Sequence, residues 1–154
     1  MNLRKYRSGD WGEVVKLFYE TVHFVNSADY TKKQLDAWVP KDMSLPAFEN
    51  RLLNNYTVVA ENNDIIVGFG NVKGTGYFDC LYTHKDYQGR GVATLIADDI
   101  EKYFYNQGVQ IITTDSSITA KPFFEKRGYI VLQEQSVECR GQLFTNLKMQ
   151  KKLA

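Results

Sequence analysis

The sequence predicts a single mixed α/β domain with a central sheet of about seven strands. Its 154 residues are the usual size of one domain, and no repeat, low-complexity tract or Pro-, Gly- or Ser-rich linker divides them. Runs with helical spacing alternate with β-branched, strand-like runs along the chain. We therefore predict one domain over residues 1–154, with the element order β-αα(α)-βββ-α-β-α-ββ.

The N-terminal part predicts a short strand followed by a first helix. Residues 2–7 are strand-like, and residues 8–10 offer side-chain oxygens that can cap a helix. Apolar residues then recur at helical spacing at Trp11, Val15, Phe18 and Val22.

Two short helices should follow the first one. Thr31 and Gln34 have the spacing of a capping box, so a helix should begin there and run to about Trp38, before Pro40 ends it. Pro46 fits the first turn of a third helix, which should reach about residue 55.

The pattern then changes to strands. Residues 56–60 and 65–72 are strand-like and flank a turn, which predicts a hairpin, and residues 77–83 predict the next strand. Further on, the pattern predicts a helix over 91–107, a strand over 109–115, a short helix over 120–127 and strands over 129–137 and 143–149. Glycines after each of the two helices fit helix ends.

Composition excludes several classes of protein. A net charge of +1 gives no basic face for nucleic acid, and two cysteines and two histidines, without metal-ligand spacing, predict neither a disulfide framework nor a metal site. No run approaches the length of a membrane span, and the N-terminus has no signal-peptide pattern. We expect a cytoplasmic protein without a membrane partner. Ten tyrosines exceed the needs of a core, so some should line a pocket.

The most informative segment is the loop before the long predicted helix. Gly89, Gly91 and Ala93 let a ligand approach the backbone, and the exposed N–H groups that open a helix bind anions. No Lys follows Gly91 as in a P-loop, and a Rossmann fingerprint would need Gly where Thr94 stands. The loop therefore predicts a phosphate-binding site, with a ligand-free turn as the alternative.

Two motifs resemble those of a known family. Gln88-x-x-Gly91-x-Ala93 is similar to the Q/R-x-x-G-x-G/A signature of the GNAT superfamily of acetyl-CoA-dependent N-acetyltransferases, and residues 120–129 resemble its second motif. The resemblance is strongest over 65–130, and the order of elements fits over 2–150. Residues 23–38 and 138–149 also resemble an uncharacterised bacterial branch of this superfamily.

The resemblance implies a mixed, mostly antiparallel sheet with helices on both faces and a V-shaped split between the fourth and fifth strands, where acetyl-CoA lies. The implied cofactor-binding residues are Leu81, Tyr82, Thr83, Gln88, Gly89, Arg90, Gly91, Val92, Ala93, Thr94, Ser117, Lys121 and Phe124. Alternatively, Lys121 is a solvated helix charge and Ser117 only caps the short helix.

The implied reaction is direct attack of an amine on the thioester. It needs a base for the amine, a donor for the oxyanion and a proton for the departing thiolate. Many family members supply that proton from a tyrosine where this chain has Phe124. We therefore predict an N-acetyltransferase acting on a primary amine of a small molecule or peptide, with a non-catalytic CoA-binding sensor or scaffold as the alternative.

Candidate catalytic residues are Asp79, on the fourth strand, and His23, at the end of the first helix. The resemblance implies an acceptor wall made by His23, Tyr30 and Trp38. Strand alternation predicts one face with Tyr77, Asp79, Leu81 and Thr83, and the opposite face with Phe78, Cys80 and Tyr82. Both Asp79 and His23 also fit structural roles. We expect no nucleic-acid partner, and the oligomeric state stays open between a monomer and a homodimer.

Overall fold

Strands and helices follow one another in the predicted order in this computed structural model, which describes residues 1–41 and 45–153. The strands are β1 (Asn2–Lys5), β2 (Thr57–Asn62), β3 (Ile65–Lys73), β4 (Tyr77–Thr83), β5 (Ile111–Ser117), β6 (Ile130–Cys139) and β7 (Gln142–Lys152). The α-helices are α1 (Trp11–Phe24), α2 (Lys32–Trp38), α3 (Pro46–Asn54), α4 (Val92–Asn106) and α5 (Lys121–Lys126).

The strands form one mixed sheet in the order β1-β2-β3-β4-β5-β7-β6. Its neighbouring strands are antiparallel except for β4 and β5, which are parallel and share only the Tyr77–Thr113 pair. The mostly antiparallel seven-stranded sheet is therefore confirmed.

β4 and β5 are held together only at one end. The Thr113 N–H donates to the Gly76 carbonyl over 2.8 Å, and the Thr114 hydroxyl donates to the Phe78 carbonyl over 2.8 Å. Beyond Phe78 the two strands share no ladder pair. This is the predicted V-shaped split, and it leaves the β5-facing backbone groups of β4 without strand partners.

Helices cover both faces of the sheet, as predicted. On one face α4 and α5 bury Ile96, Ile100 and Phe124 against the sheet. On the other face α1, α2 and α3 bury apolar side chains such as Leu17 and Leu52 against Val59, Phe69 and their neighbours. Burial of these two apolar layers stabilises the helices on the sheet.

Two glycines of β3 set how closely α4 approaches the sheet. A Cβ at Gly68 would lie 2.6 Å from Val92 Cγ1, and one at Gly70 would lie 2.6 Å from Ile96 Cγ2. Because Val92 is the first residue of α4, Gly68 fixes the height of the helix N-terminus above the sheet.

A β-bulge makes the predicted alternation of β4 wrong. Asn71 pairs with Cys80 and Val72 pairs with Phe78, so Asp79 has no partner on β3. The extra residue shifts the alternation, because a bulge puts two residues opposite one. Phe78 therefore packs under α4, whereas Cys80 packs under α1, although the two residues are only two positions apart.

Caps and turns follow the sequence with one difference. Thr31 and Gln34 form the predicted capping box, with reciprocal hydrogen bonds of 3.2 and 2.8 Å. The Asp10 side chain does not cap α1, because its carboxylate binds Arg4 through two 2.8 Å hydrogen bonds. Within residues 1–41 and 45–153, no helix is both long and apolar enough to cross a bilayer.

β6 and β7 extend beyond the predicted bounds and form a long hairpin. Cys139 pairs with Gln142, so Arg140 and Gly141 are a two-residue loop. Both have positive φ, at 48° and 81°, as a type I′ turn requires. An arginine is strained in this left-handed region, which Asn, Asp and Gly adopt more readily.

Candidate active site

A cleft of about 270 Å³ lies where β4 ends and α4 begins. The residues predicted for the cofactor that line it are Leu81, Tyr82, Thr83, Gln88, Gly89, Gly91, Val92, Ala93, Thr94 and Ser117. Arg90, Lys121 and Phe124 do not line this cleft. We call it the cofactor cleft.

The N-terminus of α4 presents free hydrogen-bond donors to this cleft. Gly91 is the N-cap with a φ of 81°, and no side chain caps the helix. The N–H groups of the first turn, on Val92, Ala93 and Thr94, therefore have no acceptor within the helix. A Cβ at Gly89 or Gly91 would meet no atom within 4 Å, so the loop is open to a ligand. This donor set fits a pyrophosphate.

Side-chain hydrogen bonds hold the loop in place. Gln88 Nε2 donates to the Thr83 carbonyl over 2.8 Å and thus links the loop to the end of β4. The Arg90 guanidinium lies over the Tyr87 ring, 5.0 Å from its centre. Gln88 therefore shapes the loop, whereas Arg90 stacks on it.

Sequence reasoning missed one wall of the cofactor cleft. The missed lining residues are Thr21, Val25, Asn26, Tyr87, Thr119, Ala120 and Phe123. Thr21 shows why: its hydroxyl donates to the Thr83 carbonyl over 2.8 Å and ties α1 to β4, across a long stretch of sequence. No local pattern marks such a contact.

A small cavity of about 70 Å³ occupies the split between β4 and β5. Phe124 lines it and is 3% exposed, with its ring packed edge-on against Phe78 and Tyr129. Ser117 lines both this cavity and the cofactor cleft, and its hydroxyl accepts the Ala120 N–H over 3.0 Å. Ser117 thus lines the predicted cofactor cleft, whereas the N-cap of α5 is Ala120 and no side chain caps that helix.

Two larger cavities lie on the α1–α2 side of the split. One, of about 380 Å³, is lined by Asp79 and is called the Asp79 cavity. The other, of about 310 Å³, is lined by Tyr30 and is called the Tyr30 cavity. Trp38 lines both of these cavities. Tyr82 lines all four spaces: the Asp79 cavity, the Tyr30 cavity, the cavity in the split and the cofactor cleft. Tyr82 is therefore at the junction of the four spaces.

Asp79, which lines the Asp79 cavity, has a buried acceptor atom without a hydrogen-bond partner in the described part of the chain. Its Oδ2 lies 3.5 Å from Arg51 Nε, and both atoms are buried without a hydrogen-bond partner among the described residues. The bulge turns this carboxylate away from the regular alternation of the strand. The two groups form an ion pair without a hydrogen bond, so a polar group of a ligand could satisfy either atom.

Burial keeps two neighbours of Asp79 protonated. It raises the pKa of the Cys80 thiol, and the nearby Asp79 charge raises that pKa further. Burial also raises the pKa of the Tyr82 hydroxyl well above its ordinary value, with added effects of Cys80 and Asp79. Cys80 is therefore a poor nucleophile, and Tyr82 stays protonated.

Tyr30 lies in the predicted acceptor wall, where two hydrogen bonds fix it. Its hydroxyl donates to the Thr145 carbonyl over 2.8 Å and accepts the Ile118 N–H over 3.0 Å. In the same cavity, both oxygens of Asp115 accept hydrogen bonds, from Tyr77 and from Gln135, each over 2.7 Å. Asp115 on β5 thus links β4 to β6.

The structure places His23 away from the other candidate residues. Its Nε2 donates to the Val39 carbonyl over 2.8 Å, and its ring stacks on Tyr19 with centroids 4.1 Å apart. It lines none of the four spaces described above. The predicted catalytic and acceptor roles of His23 are thus not supported, because its ring joins α1 to the end of α2.

Comparison with known proteins gives consistent matches. The acetyltransferase (GNAT) domain family matches residues 26–153. The uncharacterized N-acetyltransferase YafP of Escherichia coli (strain K12) is 34% identical over 152 residues, which cover 99% of this chain and 96% of that protein.

Two solved structures have similar folds. A GCN5-related N-acetyltransferase from Rhodopseudomonas palustris has a TM-score of 0.95 and 34% identity, over 99% of this chain and 95% of that one. The PaiA N-acetyltransferase from Thermoplasma acidophilum, solved in complex with coenzyme A, has a TM-score of 0.81 and 15% identity, over 99% and 98%.

Proposed function

Because this chain belongs to the GNAT family of acetyltransferases, we propose that it transfers the acetyl group of acetyl-CoA to a primary amine of a small molecule or peptide. Membership of the family makes the chain an N-acetyltransferase with acetyl-CoA as its co-substrate. The amine and the residue roles below are the proposal.

One observation supports the proposal most: the four spaces share lining residues from the cofactor cleft to the Asp79 cavity. Tyr82 and Ser117 line both the cofactor cleft and the split, and Asp79 lines both the split and the Asp79 cavity. A thioester that reaches the split from the cleft would therefore meet an amine that enters from the opposite side.

The α4 N-terminus suits the pyrophosphate of the co-substrate. Gly89 and Gly91 leave the loop open, and the N–H groups of Val92, Ala93 and Thr94 donate to phosphate oxygens. The T. acidophilum relative of the same fold holds coenzyme A, which agrees with such a site. Binding through backbone donors also explains why the chain needs no strongly basic composition.

Asp79 is our candidate base. The acceptor enters as an ammonium, whose ordinary pKa near 10.4 means that it must lose a proton before attack. The Oδ2 of Asp79, which accepts no hydrogen bond from the described residues, takes that proton directly or through water. The nitrogen lone pair then forms the C–N bond at the thioester carbonyl, and the C=O electron pair moves to oxygen.

The resulting oxyanion needs donors, and the thiolate needs a proton. Backbone N–H groups of β4 that face the split have no β5 partner and can stabilise the oxyanion. As the carbonyl re-forms, the C–S bond breaks and sulfur leaves with its electron pair. Phe124 cannot supply a proton, so we assign this step to Tyr82. The attacking nitrogen loses its second proton to water as the amide forms. Solvent then reprotonates Tyr82 and takes up the proton held by Asp79. The products are an N-acetyl amide and CoA thiol.

The direct experiment measures thiol release from acetyl-CoA with a panel of primary amines. We expect release that rises with amine concentration and saturates. Acetyl-CoA binding without amine-dependent thiol release across the panel would contradict acetyl transfer. It would instead support the alternative of a non-catalytic CoA-binding protein.

A further inference from the structure

We propose that the acceptor amine carries an acidic group, which the Arg140 guanidinium binds in the Asp79 cavity. This inference rests on the proposed function, since it assigns a substrate class to the same site. It predicts an acceptor with three parts: an amine, an apolar or aromatic body and a carboxylate.

The cavity has walls that suit an apolar body. Its apolar and aromatic lining residues are Phe18, Trp38, Leu45, Pro46, Ala47, Phe48 and Tyr82. Its charged lining residues are Arg51, Asp79 and Arg140. Pockets of this kind bind through apolar contact and take their specificity from the few polar groups.

Arg140 has a positive charge that no acidic side chain balances among residues 1–41 and 45–153. Its Nη1 donates to the carbonyls of Ala37, at 2.8 Å, and Trp38, at 3.3 Å. None of the ion pairs in this part of the chain includes Arg140. The neutral carbonyls therefore orient the guanidinium and leave its charge for a ligand.

The backbone conformation of Arg140 also supports a role in ligand binding. Arg140 has a φ of 48° at the first position of a type I′ turn, where Asn, Asp or Gly would be less strained. Strained backbone of this kind is concentrated at functional sites, where the side chain has a role that outweighs the cost in folding. The turn carries the guanidinium from the β6–β7 hairpin to the end of α2.

The remaining charges fit the amine end of the same ligand. Asp79 Oδ2 accepts no hydrogen bond from the part of the chain that the structure describes and can therefore accept one from an ammonium. Its ion-pair partner Arg51 has its guanidinium 5.3 Å from the centre of the Phe48 ring. With two guanidinium groups and one carboxylate among its described lining residues, the cavity has an excess positive charge. An amine that also carries an acidic group would neutralise it. Guanidinium binds such an acid through paired hydrogen bonds.

The test compares two probes that differ only in charge. 4-(Aminomethyl)benzoate and 4-(aminomethyl)benzamide have similar size and a similar amine, but only the first has an acid. Each is titrated into the wild-type protein saturated with CoA, so that no reaction occurs. We expect the benzoate to bind about tenfold more tightly or better, the usual effect of a charge-assisted hydrogen bond. 4-(Aminomethyl)phenylphosphonate then distinguishes a carboxylate site from a phosphate site.

The matched variant is Arg140→Asn, because Asn-Gly is the preferred dipeptide of a type I′ turn and should keep the hairpin folded. The ratio of benzamide to benzoate Kd should fall to within about twofold of unity, since the remaining neutral contacts do not distinguish the probes. Arg140→Lys keeps a positive charge and should restore part of the ratio. A melting temperature at or above that of the wild type shows that Arg140→Asn is folded.

The outcomes separate this inference from the proposed function. Equal Kd values in the wild type, no binding of any probe, or a preference that survives in Arg140→Asn would overturn the acidic acceptor. Amine-dependent thiol release would then still support acetyl transfer. An acid preference that depends on Arg140, without thiol release from any amine, would support the acid site and contradict acetyl transfer.

Discussion

Asp79 derives its proposed role from a single irregularity in β4. It has no partner on β3, so its carboxylate leaves the regular alternation and lines the Asp79 cavity beside the split. The sequence identified Asp79 because a carboxylate in a central strand is unusual. The bulge itself could not be predicted, because it depends on the register with β3.

We expect Asp79→Asn to lower kcat/KM for an amine acceptor about a hundredfold, the usual contribution of a general base. The Kd for acetyl-CoA should change less than about twofold, because Asp79 does not line the cofactor cleft. Steady-state thiol release and calorimetric titration measure the two values. Asp115→Asn is the matched control on β5, and its effect should be below tenfold. An unchanged kcat/KM in Asp79→Asn would leave Asp79 only as the ion-pair partner of Arg51.

Tyr82→Phe tests the proposed proton donor. Removing the hydroxyl should lower kcat about tenfold to a hundredfold, because the thiolate would leave without a positioned acid. The Kd for acetyl-CoA should be nearly unchanged, since the ring remains. Pre-steady-state thiol release reports the chemical step. A wild-type kcat in Tyr82→Phe would show that the thiolate leaves without protonation by this residue.

His23 shows the limit of reasoning about single residues. Its type and its place at the end of α1 fitted an acceptor wall, but the ring donates to Val39 and stacks on Tyr19. That role depends on where α2 ends in space.

Phe124 could be judged from the sequence alone, because a phenylalanine has no hydroxyl to donate. The structure adds that its ring is buried in the split.

At the scale of elements, α4 is the part of the proposed site that the sequence predicted best. Its apolar spacing, its glycine ends and the loop before it are all local signals. The wall contributed by the end of α1 was missed, because Thr21 reaches β4 only through tertiary packing. The role of the two β3 glycines, Gly68 and Gly70, was also missed. They let α4 approach the sheet, which depends on tertiary contact with Val92 and Ile96.

Two glycines at opposite ends of α4 give a matched test of the loop. Gly91 and Gly108 have φ values of 81° and 80°, and a Cβ at either would meet no atom within 4 Å. Gly91→Glu and Gly108→Glu should thus have similar backbone strain, whereas only the first adds bulk and negative charge at the cofactor cleft. We expect Gly91→Glu to abolish acetyl-CoA binding in calorimetry and Gly108→Glu to retain it. Equal acetyl-CoA affinities in the two variants would show that the phosphates do not bind at this loop.

At the scale of the whole molecule, a half-buried carboxylate joins α4 to the chain after α5 and to β7. Glu101 on α4 accepts hydrogen bonds from Arg127 after α5, from Tyr129 and from Lys151 on β7, at 3.0, 2.9 and 2.8 Å. Burial acts to raise the pKa of Glu101, but the hydrogen bonds from Arg127 and Lys151 outweigh it and hold that pKa below its ordinary value. The ionised form thus stabilises the fold.

The sign of this shift predicts sensitivity to acid. Because the pKa of Glu101 is lower in the folded state, its contribution is complete above the ordinary pKa of 4.5 and is lost as the pH falls through the folded pKa. Glu101→Gln should lower the free energy of unfolding by about 2 kcal/mol at pH 7, and by less at pH 3. Urea unfolding at both pH values measures this. The exposed control Glu125→Gln should stay within about 0.5 kcal/mol, and a pH-independent effect of Glu101→Gln would contradict the assignment.

The fold of the whole chain was predictable because local signals and one pair of motifs agreed along its length. Helix caps, turn residues and the Gln88–Ala93 loop all indicated the same order of elements, which the sheet confirms. The acceptor side was less predictable, because its cavities are built from α1, α2, α3 and the β6–β7 hairpin, which meet only in the folded chain.

The central claim is acetyl transfer from a cofactor held at the α4 N-terminus to an amine in the Asp79 cavity. The most direct measurement is the rate of CoA thiol release against amine concentration at saturating acetyl-CoA. We predict a saturating, amine-dependent rate for the wild-type protein that is lost in Gly91→Glu. A rate that stays at the amine-free background across the panel, while acetyl-CoA binds, would contradict the claim.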